Sequence, residues 1–159
     1  MFRPLRRAER AISTQEAWLV VETENHGVLS VTGDEGWPYG IPLNHVLLDG
    51  ALYFHCAKAG HKLDALAAEP RACFTVVRGP LEAPADILPN TLGTYESAVV
   101  FGHVSLVADA DRVAALEALC ARYAPARVGD AAYFAKHMPG VAVLRMAVSH
   151  ITGKRLLVK

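Results

Sequence analysis

Apolar runs rich in β-branched residues recur along the chain and predict six β-strands. The predicted strands cover residues 28–32, 39–48, 51–56, 72–77, 95–107 and 141–148. Turn-forming residues at 33–36 and 49–50 separate the first three strands, so these strands are expected to form hairpins. Gly102 interrupts the longest strand and predicts a bend or bulge there. Pro42 cannot donate a ladder hydrogen bond, which places it at a sheet edge or in a bulge.

Helix signals occur between the predicted strands. Ser13 and Glu16 have the spacing of a capping box, and Pro70 is a stop signal for the helix before it. The predicted helices run from Ser13 to about Asn25, from His61 to Glu69, and from Asp109 or Asp111 to about Tyr123. Residues 125–140 show mixed character with some helical signal. Residues 78–94 are rich in turn-forming residues and lack periodicity, which predicts a long loop that acts as a lid or a subunit arm.

The order of these elements constrains the fold class. Strands joined mainly by hairpins, with helices inserted between some of them, indicate an α+β domain with a predominantly antiparallel, six-stranded, barrel-like sheet. A doubly wound parallel sheet would need regular alternation of strands and helices. The chain of 159 residues is 52% apolar, which is enough for one domain with its own core. We therefore predict a single domain over residues 1–159, with residues 1–10 as candidates for disorder.

Charge and cysteine content narrow the classes of partner. The 16 Lys and Arg residues balance the 16 Asp and Glu residues, and no long run of like charge occurs. This balance gives no electrostatic support for binding nucleic acid or a membrane surface, so a small-molecule partner is predicted. Cys56, Cys73 and Cys120 lack metal or redox spacing, which indicates reduced thiols. No export or membrane-spanning signal follows the basic N-terminus, so a cytoplasmic location is expected.

The candidate chemistry is concentrated where the third predicted strand ends and the second helix begins. Lys58, His61 and Lys62 crowd this helix N-terminus, where unpaired backbone N–H groups and the helix dipole already favour an anion. Cations in a first helical turn weaken the helix unless an anion lies over them, so a phosphate site is predicted. The alternative is a solvated basic turn that joins a strand to a helix.

Several motifs, in their order and spacing, resemble those of a known family. They are YGIPLNHV at 39–46, DG at 49–50, YFHCAKAGHKLDAL at 53–66, PRACF at 70–74, YESAVVFG at 95–102 and ITGK at 151–154. Together they resemble the pyridoxamine 5'-phosphate oxidase-related flavoproteins, and within these the nitroimidazole-resistance branch. The resemblance implies a split β-barrel that forms a homodimer and holds FMN in clefts at the subunit interface.

The resemblance also implies which residues contact the cofactor. Phosphate contacts fall on His61 and Lys62, with His55 beside them and Lys58 as an additional candidate, while strand 39–44 lies along the flavin ring. The full implied set of cofactor-binding residues is Tyr39, Ile41, Pro42, Leu43, Asn44, Phe54, His55, Lys58, His61, Lys62 and Ser97. The oxidase branch usually has arginine where His61 stands. Because a free histidine titrates near pH ~6.5, phosphate binding here is expected to vary with pH.

Two function hypotheses follow. The first is an FMN-dependent oxidoreductase that reduces a small electrophile such as a nitroaromatic, with the flavin carrying the electrons. Such a reduction requires no protein acid or base, and neither a catalytic triad nor paired carboxylates can be found in the sequence. The C-terminal Trp and Arg arrangement that holds pyridoxal phosphate in true oxidases is also not found, so the vitamin B6 reaction is not expected. The second hypothesis is a non-catalytic flavin- or haem-binding module.

The remaining histidines and Cys56 have structural interpretations. His26, His45, His103 and His150 are interpreted as surface or hydrogen-bonded structural residues. His55, His61 and His137 suggest a metal only weakly, because no ligand-spaced pair shares a helix, so no metal site is predicted. Cys56 is interpreted as a small buried residue, with a reactive thiol as the alternative.

Overall fold

The structure is a computed structural model that describes residues 2–81, 94–108 and 112–156. Its strands are β1 (Ala11–Ile12), β2 (His26–Thr32), β3 (Pro38–Asn44), β4 (Val46–Leu48), β5 (Ala51–Ala57), β6 (Arg71–Leu81), β7 (Thr94–Leu106) and β8 (Val141–Leu156). Its helices are α1 (Thr14–Thr23), α2 (His61–Ala68), α3 (Arg112–Tyr123) and α4 (Ala131–His137). The mixture of an antiparallel sheet with inserted helices confirms the predicted α+β class.

The strands form one curled antiparallel sheet. Seven strands follow the order β3–β2–β6–β7–β8–β5–β4, and the short β1 pairs with β8. β3 and β4 lie at opposite ends of this order although only His45 separates them in the chain. Because two residues span at most about 7 Å, the two ends of the sheet must meet at His45. Away from that point β3 and β5 lie near each other without pairing, so the barrel is split there.

His45 marks the point where the predicted strand 39–48 divides into two. Its side chain is fully buried, and Nε2 lies 2.6 Å from the carbonyl oxygen of Val21 in α1. Its backbone N–H donates to the Tyr123 hydroxyl at 3.1 Å, and its carbonyl accepts from that hydroxyl at 2.7 Å. These helix contacts replace the ladder bonds that one continuous strand would make. The prediction of a single strand is therefore wrong here, whereas the interpretation of His45 as a hydrogen-bonded structural histidine is confirmed.

Helix α1 packs into the barrel with its apolar side. The predicted capping box is confirmed, because Ser13 Oγ accepts the Glu16 N–H at 3.2 Å and Glu16 Oε2 accepts the Ser13 N–H at 2.8 Å. The main core contains buried residues from α1, α2 and five strands, with Val20, Val21, Leu29, Phe54, Phe74, Val76, Val100 and Met146 among its fully buried members. A second, smaller cluster joins α3 to Val143 on the outer side of the sheet.

A bulge interrupts the pairing of β7 with β8, as the position of Gly102 predicted. Phe101 lies opposite His150, whereas Gly102 lies opposite Val148, so the register shifts by one residue. A Cβ atom on Gly102 would lie 2.2 Å from the Ala147 carbonyl oxygen. Only glycine therefore permits this close approach.

Two strands extend beyond their predicted ends. Residues 78–81, predicted as the start of a loop, continue β6 because Arg78 pairs with Glu96 and Leu81 with Thr94. The rest of that predicted loop, 82–93, lies outside the described residues, as do the predicted helix caps at 109 and 111. β8 continues to Leu156 because its second half pairs with β7 and its end also pairs with β1.

Candidate functional site

The N-terminus of α2 presents an uncapped, basic helix end. Gly60 precedes the helix with φ +125°, a backbone conformation that favours glycine, and no side chain caps the helix. The Gly60 carbonyl accepts the Leu63 N–H at 2.8 Å, whereas the N–H groups of His61 and Lys62 find no backbone acceptor within the described chain. Lys58 and Lys62 likewise form no ion pair with any described residue. The start of α2 therefore offers two backbone donors and the Lys62 ammonium group to an anion, with Lys58 in the turn before the helix and one carboxylate, Asp64, in the first helical turn.

The His61 ring is held by the β2–β3 hairpin. It stacks on Tyr39 with ring centroids 4.4 Å apart and an interplanar angle of 13°. His61 Nε2 lies 3.5 Å from the carboxylate of Asp34, whose side chain is 89% exposed. The structure thus brings the predicted residues Tyr39 and His61 together. It also adds Asp34, a carboxylate that competes with any anion for the same imidazole.

His55 lies near Lys62 on the outer side of β5. His55 is exposed at the surface, but partial desolvation lowers its pKa, and the positive charge of Lys62 lowers it further, so the neutral imidazole is favoured. Cys56 points to the opposite face and is buried; burial raises the pKa of its thiol, and the charge of Lys62 offsets part of that rise. A protonated buried thiol agrees with the interpretation of Cys56 as a small packing residue.

Strand β3 lies at the sheet edge that faces the split. Pro42 is exposed there and pairs with Val28 on one side only, which confirms its prediction as an edge residue. The side chains at alternate positions of β3 pack against the core; they are Tyr39, Ile41 and Leu43. A ligand at the split would therefore meet mainly the edge backbone of β3 and not these side chains. The Asn44 side chain is engaged locally, because Nδ2 donates to the Asn25 carbonyl at 2.8 Å.

The structure gives Phe54 and Ser97 places other than the surface at the basic end of α2. Phe54 is fully buried and meets Phe74 edge-on, with ring centroids 5.0 Å apart, so its side chain belongs to the core. Ser97 lies on the outer face of β7, opposite Val77 and Lys154. Three strand spacings and five residues along β7 separate it from the level of Tyr39, which corresponds to roughly 20 Å along the sheet. A single chain does not bring Ser97 to the predicted phosphate site.

A pocket between α3 and α4 was missed by the sequence interpretation. It has a volume of about 180 Å³ and opens on the outer side of β5 and β8. Its walls include Cys120 from α3, Tyr133 and His137 from α4, and His55 from β5. The aromatic content of residues 133–137 was the only sequence signal for it. The elements that form the pocket come together only in the fold.

The described residues contain neither a candidate metal site nor a candidate membrane-spanning helix. Residues 2–81, 94–108 and 112–156 contain no cluster of three or more His, Cys, Asp or Glu side chains that suits a metal ion. None of the helices described in those ranges combines the length and apolar character needed to cross a membrane.

Comparison with known proteins places this site in a family context. No curated protein matches the chain. Among solved structures, a candidate 5-nitroimidazole antibiotic resistance protein from Bacteroides thetaiotaomicron is similar at TM-score 0.74 and 24% identity, covering 91% of this chain and 86% of that chain. An FAD-binding protein from Mesorhizobium loti has TM-score 0.67 and 20% identity, covering 92% of this chain and 97% of its own. An FAD- and heme-binding protein from Mycobacterium smegmatis has TM-score 0.72 and 21% identity, and the match covers 90% of this chain and 71% of that chain.

The sequence itself also matches a family profile over most of its length. The match is to pyridoxamine 5'-phosphate oxidase and covers residues 13–155. That range spans the whole barrel, the split and the basic end of α2. This chain therefore belongs to the pyridoxamine 5'-phosphate oxidase family.

Proposed function

We propose that the protein is an FMN-dependent oxidoreductase that reduces a small electrophilic substrate such as a nitroaromatic. The observation that carries this proposal is the basic end of α2, where Lys58 and Lys62 have no carboxylate partner in the described chain. Two helical N–H donors, those of His61 and Lys62, lie at the same place. Membership of a family of split barrels and the likeness to FAD-binding structures support a flavin as the ligand.

The residues at the split fit the two ends of a flavin mononucleotide. A phosphate group matches the ammonium groups and backbone donors of α2, because charge-assisted hydrogen bonds to phosphate are strong. The ring matches the edge of β3, whose backbone groups lack a ladder partner on the side of the split. Lys62 would hold the phosphate, and the backbone of residues 41–43 would lie along the ring.

The protein's part in the proposed reaction is binding and orientation. When bound, FMN supplies hydride or electron transfer. His55 would stay a neutral donor or acceptor near Lys62, since partial desolvation and that positive charge both lower its pKa. No protein nucleophile is assigned, because the Cys56 thiol is buried with a raised pKa.

A second copy of the chain would complete this site, and we include a homodimer in the proposal. Val28 and Val77 are apolar and exposed on the outer sheet face, at 38% and 58%. Ser97 lies on that same face next to Val77. Pairing two such faces would cover the valines and bring Ser97 of one copy toward the split of the other. Sedimentation at micromolar concentration should show a dimer, and a monomer would refute this part.

The cofactor and the activity can be tested on the purified full chain. The pigment that copurifies is extracted and identified by mass spectrometry, and NAD(P)H-dependent reduction of a nitroaromatic is followed without oxygen. FMN together with turnover supports the proposal. FMN without turnover, across several nitroaromatics and both donors, favours a non-catalytic flavin module. A Soret band with no flavin would overturn the cofactor assignment.

A further inference from the structure

The pocket between α3 and α4 shares His55 with the proposed flavin site, but its other walls come from α3, α4 and the residues that follow each of these helices. Its inner side is formed by Leu116 and Leu119 of α3, and Phe134 of α4 closes another wall. His55 and His137 contribute the two imidazoles of the lining. Apolar walls with a few polar groups are the usual composition of a small-molecule site.

The chemistry of the lining selects an uncharged ligand. None of the described residues that line the pocket is Asp, Glu, Lys or Arg. A charged ligand would therefore lose hydration without gaining a partner of opposite charge. The two imidazoles instead offer hydrogen bonds to a neutral polar group, such as a hydroxyl or a nitro oxygen.

The size of the pocket suits a small aromatic molecule. A volume of about 180 Å³ is close to the roughly 150 Å³ of an apolar protein cavity that binds benzene. A tetrapyrrole exceeds it. The rings of Tyr133 and His137 pack on each other at one wall of the pocket, with centroids 4.5 Å apart, and add aromatic surface to its lining.

The walls of the pocket are held in place before a ligand arrives. Asp130 caps α4 by accepting the Tyr133 N–H at 2.9 Å, and Arg127 donates to Asp130 at 3.2 Å. The Arg127 guanidinium lies 5.2 Å from the Tyr133 ring centroid. On the opposite wall, Tyr123 at the end of α3 is fixed by its bonds to His45. A preformed site loses little conformational entropy on binding.

We propose that this pocket binds a small, uncharged aromatic molecule, with His55 and His137 as hydrogen-bonding partners for its polar substituent. The proposal does not require that the split hold FMN.

Fluorine NMR on the purified full chain tests the ligand class. The probe is para-fluorophenol, and the comparator is para-fluorobenzoate at pH 7.5, which is charged. We expect saturable binding of the phenol and at least tenfold weaker binding of the benzoate. Equal affinity for the benzoate would overturn the assignment of ligand class.

Pocket-filling variants test the location. Ala124→Leu and Cys120→Leu each add volume inside the pocket, whereas Ala135→Leu makes the same kind of change on the exposed side of α4. Either filling variant should lower the affinity for para-fluorophenol at least tenfold. Ala135→Leu should leave that affinity unchanged. On binding, side-chain resonances of nitrogen-labelled His55 and His137 should shift. Unchanged affinity in both filling variants would refute the site, whatever the chain's affinity for FMN.

Discussion

The hydroxyl of Tyr123, at the end of α3, bonds both backbone groups of His45, where β3 becomes β4. It accepts the His45 N–H at 3.1 Å and donates to the carbonyl of either His45 or Asn25, each 2.7 Å away. These groups would otherwise be unpaired at the point where the two ends of the sheet meet. One hydroxyl from α3 therefore supports the closure of the barrel.

Tyr123→Phe should destabilise the fold, because it leaves the His45 N–H without its partner in a partly buried position. The expected loss in free energy of unfolding is about 1–3 kcal/mol. Urea denaturation measures this loss. Tyr133→Phe is the matched control, since the Tyr133 hydroxyl has no hydrogen-bond partner within the described chain. Equal losses in the two variants would contradict the role given to Tyr123.

The buried imidazole of His45 should make stability depend on pH. Burial lowers its pKa from 6.5 to about 4 despite the bond to Val21, and the charge of Arg122 adds to the lowering. Above pH 6.5 both the folded and unfolded forms of this residue are neutral. As pH falls from about 6.5 to about 4, the unfolded chain takes up the proton first. Stability should therefore fall by about 3 kcal/mol across that range.

His45→Gln isolates this effect because an amide can donate to the Val21 carbonyl and does not titrate. Unfolding free energies of both proteins are measured by urea between pH 4 and 8. The difference between the two curves should change across the window from 6.5 to 4 and stay constant above it. Parallel curves throughout the range would show that His45 does not titrate as inferred.

Local sequence signals were sufficient for most strands but not for the closure of the barrel. β5 and most of β6 and β7 were predicted because their apolar runs end at turn-forming residues or prolines. The break at His45 has no such signal, since it lies in an apolar run and depends on Tyr123, 78 residues later. β8 was predicted too short, because the polar residues after Val148 lack alternation and become a strand only by pairing with β7 and β1.

The candidate site was likewise predictable only in part from the sequence. The basic end of α2 was predictable because Lys58, His61 and Lys62 are close in sequence. The stack of His61 on Tyr39 and its contact with Asp34 were not, because the three residues come from α2, β3 and the turn before β3. The α3–α4 pocket was missed for the same reason.

Glu96 links both ends of α1 to the sheet through two arginines. This carboxylate is 3% exposed and bonds Arg78 and Arg155. Arg155 also pairs with Glu16 at 3.0 Å, and Arg78 donates to Thr23 at 3.2 Å. Burial raises the pKa of Glu96, but the hydrogen bonds from the two arginines outweigh it, so the net pKa lies below the usual value.

Glu96→Gln should therefore destabilise the protein by about 3 kcal/mol, because two partly buried guanidinium groups lose their shared anion. Glu69→Gln makes the same change in a pair whose carboxylate is 28% exposed and whose arginine is 74% exposed, and it should cost less. Thermal or urea unfolding at pH 7 compares the two variants. If Glu69→Gln costs as much as Glu96→Gln, burial does not decide the strength of these ion pairs.

Lys62 should dominate retention of the proposed cofactor. A charge-assisted hydrogen bond contributes roughly 1.5–3 kcal/mol to binding. Lys62→Ala should therefore lower the affinity for FMN about tenfold to a hundredfold. Titration by quenching of FMN fluorescence measures the affinity. Lys136→Ala, on the exposed side of α4, is the matched control. Unchanged affinity in Lys62→Ala would mean that the basic turn is only solvated surface.

Asp34 should oppose phosphate binding at the same place. Its exposed carboxylate lies 3.5 Å from His61 Nε2, so it repels a phosphate dianion and competes for the imidazole. Exposed ion pairs of this kind contribute up to about 1 kcal/mol of interaction free energy. Asp34→Asn should therefore raise the affinity for FMN about two- to fivefold. The gain should shrink at high salt, which screens exposed charges. Glu35→Gln removes a charge from the same turn without the contact to His61, and should change affinity less. Weaker FMN binding in Asp34→Asn would show instead that the carboxylate helps by holding His61 against Tyr39.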